Sequence, residues 1–266
     1  MHIESVHLIV NDPLLFPCAA GHFIDALEGI HPERAETVGI GYYDGLDPLL
    51  GKYRPPVSAD LGKLFCGLRT RIALTSATFS DKRVRSEILQ PFRYRNWMFS
   101  MAGEVDVFED AMGVDLPIPT YIRRNIKGPT KGETLFHQFL SFLHRQGLLG
   151  GDHYRLGPLR DALKSAISQE VYWTREGFPS HSICVSDGTN LIGATLGRPV
   201  HMKVLSGLSG CDLCGGNVDG ESLDHPHLKG VAILDTSALP SSEWETVAPD
   251  SIFQVNHELK VETYSI

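Results

Sequence analysis

The sequence has no apolar run approaching the length of a membrane-spanning helix. Its opening segment lacks the basic stretch of a secretory leader and carries Glu4 early. Cysteine is scarce. Cys18, Cys66, Cys184, Cys211 and Cys214 make five, an odd number, and only the last two lie close together. An oxidised secreted framework would carry more, in an even count, so the cytoplasm is the expected compartment. Positive charge is also short: 24 basic residues face 32 acidic ones, a net charge of −8. That balance disfavours nucleic acid and anionic membranes as partners. There is no internal repeat, low-complexity tract or linker-like shift in composition. A hydrophobic share of 42% and a charged share of 21% exclude a disordered chain. A phosphate-binding glycine loop is missing too, because Gly39-Ile-Gly41 has neither a third glycine nor a helix start after it.

What is there reads as strands, then helices, then strands. His7–Val10 stops at the turn sequence Asn11-Asp12-Pro13, and Val38–Tyr43 ends at the hairpin signal Asp44-Gly45. Arg71–Thr78 and Asn96–Met101 are two further buried strands, set among proline-rich loops at Pro55-Pro56 and Pro117-Ile-Pro119. From Glu133 to Gln146, Leu135, Phe136, Phe139, Leu140, Phe142 and Leu143 recur at helical spacing. A second helix follows Pro158 through Leu159, Leu163 and Ile167. Strands return at Ser182–Ser186, Leu191–Thr195, His201–Leu205, Gly230–Leu234 and Ser251–Val255. This order predicts one α+β domain, residues 1–266, with sheets and helices in separate layers.

Four segments carry a resemblance. They are Val38-Gly-Ile-Gly-Tyr-Tyr-Asp-Gly45, the Gln90-Pro-Phe to Ala102-Gly-Glu104 stretch, Lys127-Gly-Pro-Thr-Lys-Gly-Glu-Thr-Leu-Phe136, and Ser186-Asp-Gly-Thr-Asn-Leu-Ile192. In order and spacing the chain resembles a class II glutamine amidotransferase of the N-terminal-nucleophile hydrolase superfamily. The nearest type is the stand-alone bacterial one that includes the amidohydrolase of ergothioneine biosynthesis. The resemblance implies a four-layer αββα sandwich with two central antiparallel sheets. It also implies a chemistry: a cysteine after the initiator Met attacks the glutamine side-chain amide, with its own α-amine as base. An Asn side chain and a Gly N–H hold the oxyanion, an Arg pairs with the substrate carboxylate and an Asp with its ammonium.

Carried over position by position, that chemistry is missing. His2 stands at the nucleophile position, or Ile3 if Asn11-Asp12-Pro13 sets the alignment. The carboxylate-binding Arg is Thr75, the oxyanion Asn is Ala102, and the ammonium-binding Asp is Lys131, which reverses the charge. Gly103 and Glu104 remain. One lost oxyanion donor costs about 10²–10³ in rate, and a lost nucleophile costs more. The expectation is a degenerate amidotransferase, inactive toward glutamine, that acts as a scaffold, regulatory or ligand-binding protein. Thr75, Gly103 and Lys131 are its candidate ligand residues. Its expected partners are another protein, a second copy of itself, or a small carboxylate or amide. The alternative is an active amidohydrolase with a rearranged or exposed nucleophile, such as Ser5 freed by cleavage after Glu4.

Cys211-Asp-Leu-Cys214 and His225-Pro-His227 offer two thiolates and two imidazoles, a donor set for structural zinc, with Gly210, Gly215 and Gly216 suited to a tight knuckle. A loop with reduced thiols is the competing reading, and no cofactor beyond that zinc is expected. Arg69 with Arg71, and Arg93 with Arg95, alternate on strands as an anion patch or a solvated edge.

Overall fold

The computed structural model describes residues 1–54, 61–80, 83–105, 117–150, 155–173, 180–211, 213–214, 223–237 and 242–266. Pro55-Pro56 and Gly215-Gly216 lie outside them. Strand β1 (His2–Val10) is the hinge of the architecture. Along its whole length it pairs with β4 (Ile72–Phe79). On its other side the partner changes. Ser5–Val10 pair with β10 (Leu223–Asp235), whereas His2 and Ile3 pair with β6 (Trp97–Glu104).

Two antiparallel sub-sheets diverge from this fork. The first runs β11 (Glu245–Val247), β9 (Val200–Cys211), β10, β1, β4, β2 (Thr37–Asp44) and β3 (Asp47–Tyr53). The second runs β5 (Phe92–Tyr94), β6, β7 (His181–Ser186), β8 (Leu191–Leu196), β12 (Ser251–Val255) and β13 (Val261–Ser265). The sequence-predicted strands are all present, most of them longer than their apolar cores.

Strand alternation assigns the layers. Val6, Leu8, Ala73 and Ala77 face a core shared with α1 (Phe16–His22), α2 (Ile24–Gly29) and α3 (Leu61–Cys66). Ile9, Ile72, Leu74, Met98, Cys184, Val231 and Phe253 fill the space between the sub-sheets. Trp97, Phe99, Met101, Ile183 and Val185 face α5 (Lys131–Arg145) and α6 (Leu156–Trp173), preceded by the short α4 (Thr120–Arg123). The result is helices, sheet, sheet, helices: the expected αββα sandwich.

The α5 stripe packs as its period demands. Phe136 stacks on Phe99 with centroids 5.2 Å apart, and Phe139 meets Trp97 edge-on at 5.5 Å. Thr130 caps the helix, its Oγ1 accepting the Glu133 N–H at 3.2 Å. At the other end Leu148 N–H donates to Leu143 O and Gly147 N–H to His144 O, with Gly147 at φ +73, a Schellman stop. Thr130→Ala is expected to lower stability by about 1 kcal/mol, read as a shift in urea midpoint with an unchanged slope.

Gly39 earns its place by proximity. A β-carbon there would lie 1.7 Å from the Gln90 carbonyl oxygen, so the Gly-Ile-Gly strand is shaped for the Gln90-Pro91 backbone rather than for a phosphate. Gln90 is itself buried, and its Oε1 accepts the Met101 N–H.

Candidate functional site

Of the positions that the resemblance assigns to glutamine chemistry, His2, Ala102 and Gly103 lie at the β1–β6 fork and Lys131 opens α5, whereas Thr75, on β4, faces the α1–α3 core instead. Gly103 pairs with Ile3 on one side and His181 on the other. Its φ is +106, and a β-carbon there would fall 2.5 Å from Ser180 O, so the glycine is retained for backbone reasons alone. Ala102 and Thr75, where the resemblance implies Asn and Arg, are buried. Thr75 lies opposite Val6 and Ile40, which belong to the α1–α3 core, and its Oγ1 is buried without a hydrogen-bond partner among the described residues.

Lys131 is the decisive residue. It occupies the first turn of α5, where the helix dipole disfavours a cation. Its Nζ lies 2.8 Å from Glu170 Oε1 on α6, and both side chains are buried. The other Glu170 oxygen is 3.3 Å from His181 Nε2. Burial by itself would raise the Glu170 carboxyl, but His181 and Lys131 outweigh it and hold the group below the usual range. Lys131 is therefore buried and ion-paired within the protein.

Further charges close in around Gly103. Arg198 pairs with buried Asp235, which also accepts from Ser182 Oγ. At the nucleophile position His2 Nδ1 stands 3.1 Å from Glu104, and its Nε2 3.6 Å from Glu4. Glu4 accepts from both Ser237 N–H and Ser237 Oγ–H. Burial pushes the Glu4 carboxyl up, yet the contacts with His2 and Ser237 bring it down to about 2. These same contacts, led by Glu4, raise His2 above the usual imidazole range. The charged side chains around Gly103 are thus paired with one another within the chain.

Ser5 sits mid-strand, buried, between Ser76 on β4 and Asp235 on β10. Freeing it as an N-terminal residue would remove His2–Glu4 from β4, and His2 and Ile3 from β6. Arg69, Arg71 and Arg93, weighed as an anion patch or a solvated edge, bond to backbone carbonyls. Arg69 donates to Cys66 O and Leu68 O, Arg71 to Val10 O and His257 O, and Arg93 to Pro48 O. A cavity of about 330 Å³ beside α5 brings Lys52, Arg93 and Lys127 together with Glu133 and His137, and includes none of the four substituted positions.

A separate cluster forms at the far end of the first sub-sheet. Cys211, the last residue of β9, and Cys214 meet His225 of β10 and Cys18 of α1, with their ligand atoms all within 4.8 Å of one another. His227, expected there with His225, is not in it. The pairing of β10 with β9 shifts register between His225 and Lys229, and His227 is exposed, its carbonyl held by the Asn11 side chain. Cys18 takes its place, a residue 196 positions from Cys214 that no local motif could reveal. An adjoining cavity of about 580 Å³ is lined by Cys18, Cys66, Leu208, Cys211 and Leu213 among others.

No protein-family model matches the sequence, and no curated protein matches it. Solved structures do. The chain is similar to a glutamine aminotransferase class-II domain protein from Silicibacter pomeroyi, at 18% identity and a TM-score of 0.55, over 100% of this chain and 99% of that one. It is similar to a predicted glutamine amidotransferase from Pseudomonas aeruginosa, at 13% identity and a TM-score of 0.59, over 100% of each. An allosteric regulatory enzyme of purine biosynthesis matches at 13% identity and a TM-score of 0.55, over 98% of this chain and 48% of that one. At such identities the likeness is one of architecture: the chain has the class II glutamine amidotransferase fold.

Proposed function

We propose that the chain is a degenerate class II amidotransferase-like protein that does not hydrolyse glutamine and serves as a binding or regulatory component. The observation that carries this reading is the buried Lys131–Glu170 pair. Where the resemblance expects a carboxylate for the substrate ammonium, a lysine stands, and it is neutralised from within. An incoming ammonium would meet repulsion, and breaking the pair to make room would leave a charge buried. Ala102 offers no amide to an oxyanion, and Thr75 no guanidinium to a carboxylate. The fold survives around these changes, which fits retention for an interaction with another protein, a second copy, or an altered small carboxylate or amide.

Ammonia release from glutamine is expected to match the rate without protein, and intact mass is expected to be unchanged after an electrophilic glutamine analogue. Turnover abolished by Ser5→Ala, or a single covalent adduct, would establish an active amidohydrolase instead.

A further inference from the structure

Three sulfurs and an imidazole nitrogen converge on one point from three distant segments. The Cys18 and Cys214 sulfurs stand 3.2 Å apart and unbonded, with Cys211 and His225 completing the group. His225 Nε2 is buried and has no hydrogen-bond partner among the described residues. Cys18 and Cys211 are buried, while Cys214 and His225 are half-buried. Four donors around a zinc ion at about 2.3 Å would place the sulfurs about 3.8 Å from one another. The observed spacing needs only small side-chain adjustments to reach that geometry.

The surrounding backbone is built to hold these donors. Gly207 and Gly210 take positive φ near the tip of β9, and Asp224 Oδ1 accepts the Gly210 N–H at 2.9 Å. Cys18 enters from α1, packed within the α1–α3 core. A shared ion would therefore join the exposed end of the hairpin to the helical layer beneath it. Neither element has another cross-link, since all five cysteines are free thiols.

We propose that Cys18, Cys211, Cys214 and His225 bind one zinc ion as a closed structural site. Three thiolates and one neutral imidazole give the tetrahedral donor set that zinc prefers, with no position left for water or substrate. Binding displaces the thiol protons and carries no electron transfer, so affinity falls in acid. The site is independent of the glutamine-site reading and would stand if that reading failed.

The test uses the full chain, purified under reducing conditions and loaded with zinc chloride or cobalt chloride alone. One metal per chain is expected by native mass spectrometry. The cobalt form is expected to show thiolate-to-cobalt charge transfer with the visible bands of a tetrahedral ion. Zinc should protect Cys18, Cys211 and Cys214 from alkylation while Cys66 continues to react. Cys18→Ser and His225→Ala should weaken zinc binding by more than the about 10–100-fold that loss of an outer-shell partner costs, whereas His227→Ala and Cys66→Ser should leave it intact. Should a ligand variant fail to fold, the wild-type cobalt spectrum and the alkylation pattern decide. The proposal is overturned if the reduced chain takes up neither ion, if cobalt binds without thiolate bands, if His227→Ala matches His225→Ala, or if the native form is a metal-free disulfide.

Discussion

Glu170→Gln is expected to destabilise the protein by about 3–5 kcal/mol, because it leaves the Lys131 ammonium buried without a counter-charge. The same ammonium lies in the first turn of α5, where the helix dipole adds to the cost. Replacing both partners, Lys131→Met with Glu170→Met, should recover most of the loss, since paired removal leaves nothing charged and unmatched. Lys131→Asp should fail to restore glutamine chemistry, because the new carboxylate would face Glu170. Urea unfolding at pH 7 measures all of these. A Glu170→Gln variant as stable as wild type would show that Lys131 does not depend on this pair.

Below neutral pH the folding equilibrium is expected to weaken by about tenfold per unit for each buried neutral imidazole. His7 lies in β1 opposite Leu74 and Ile233, fully enclosed, and burial drives it down to about 3. His137 on α5 is driven down to about 4 by burial, which outweighs the bond from its Nδ1 to Glu133 O. Both bind protons readily only when unfolded. Stability is therefore full above the ordinary imidazole range near 6.5 and is lost as pH falls toward 3 and 4.

Glu4 and Glu170, held below the usual carboxylate range, lose their contribution further down and act in the same direction. Glu133, Asp187 and Asp235, raised first of all by burial, oppose them. A variant comparison isolates the imidazole. Relative to His7→Leu, wild type should lose about tenfold in folding constant per unit between pH 6 and pH 4. Parallel stability curves for the two proteins would contradict the assignment.

The long elements were legible in the sequence because their burial is periodic. Leu135, Phe136, Phe139, Leu140 and Leu143 announce α5, and the short apolar runs locate the inner strands. The small helices gave no such signal. Phe16–His22 contains Pro17 and Gly21 and has no side-chain cap, so it is helical because the first sub-sheet needs a cover. The outer halves of β9 and β10 mix exposed and buried residues without a regular period, and their apolar cores alone were visible.

At the candidate site, the substitutions could be read directly, but their meaning could not. Lys131 looks like a residue aimed at an anion until Glu170, from the next helix, is seen to neutralise it. Likewise Cys211 and Cys214 advertise a donor pair, whereas Cys18 becomes a donor only through tertiary packing.

The shared strand β1 also dictates an order of events. Its hydrogen-bond partners come from β4, β6 and β10, so contacts of a nine-residue segment reach as far along the chain as Asp235. Such long loops must close before the strand is rewarded on both sides, which makes its final docking a slow, non-local step. During synthesis β1 can find β4 early, but the Ser5–Val10 part of its second edge stays open until β10 has emerged. Until then the chain carries an unpaired apolar strand edge, and its yield in the cell depends on how that edge is shielded.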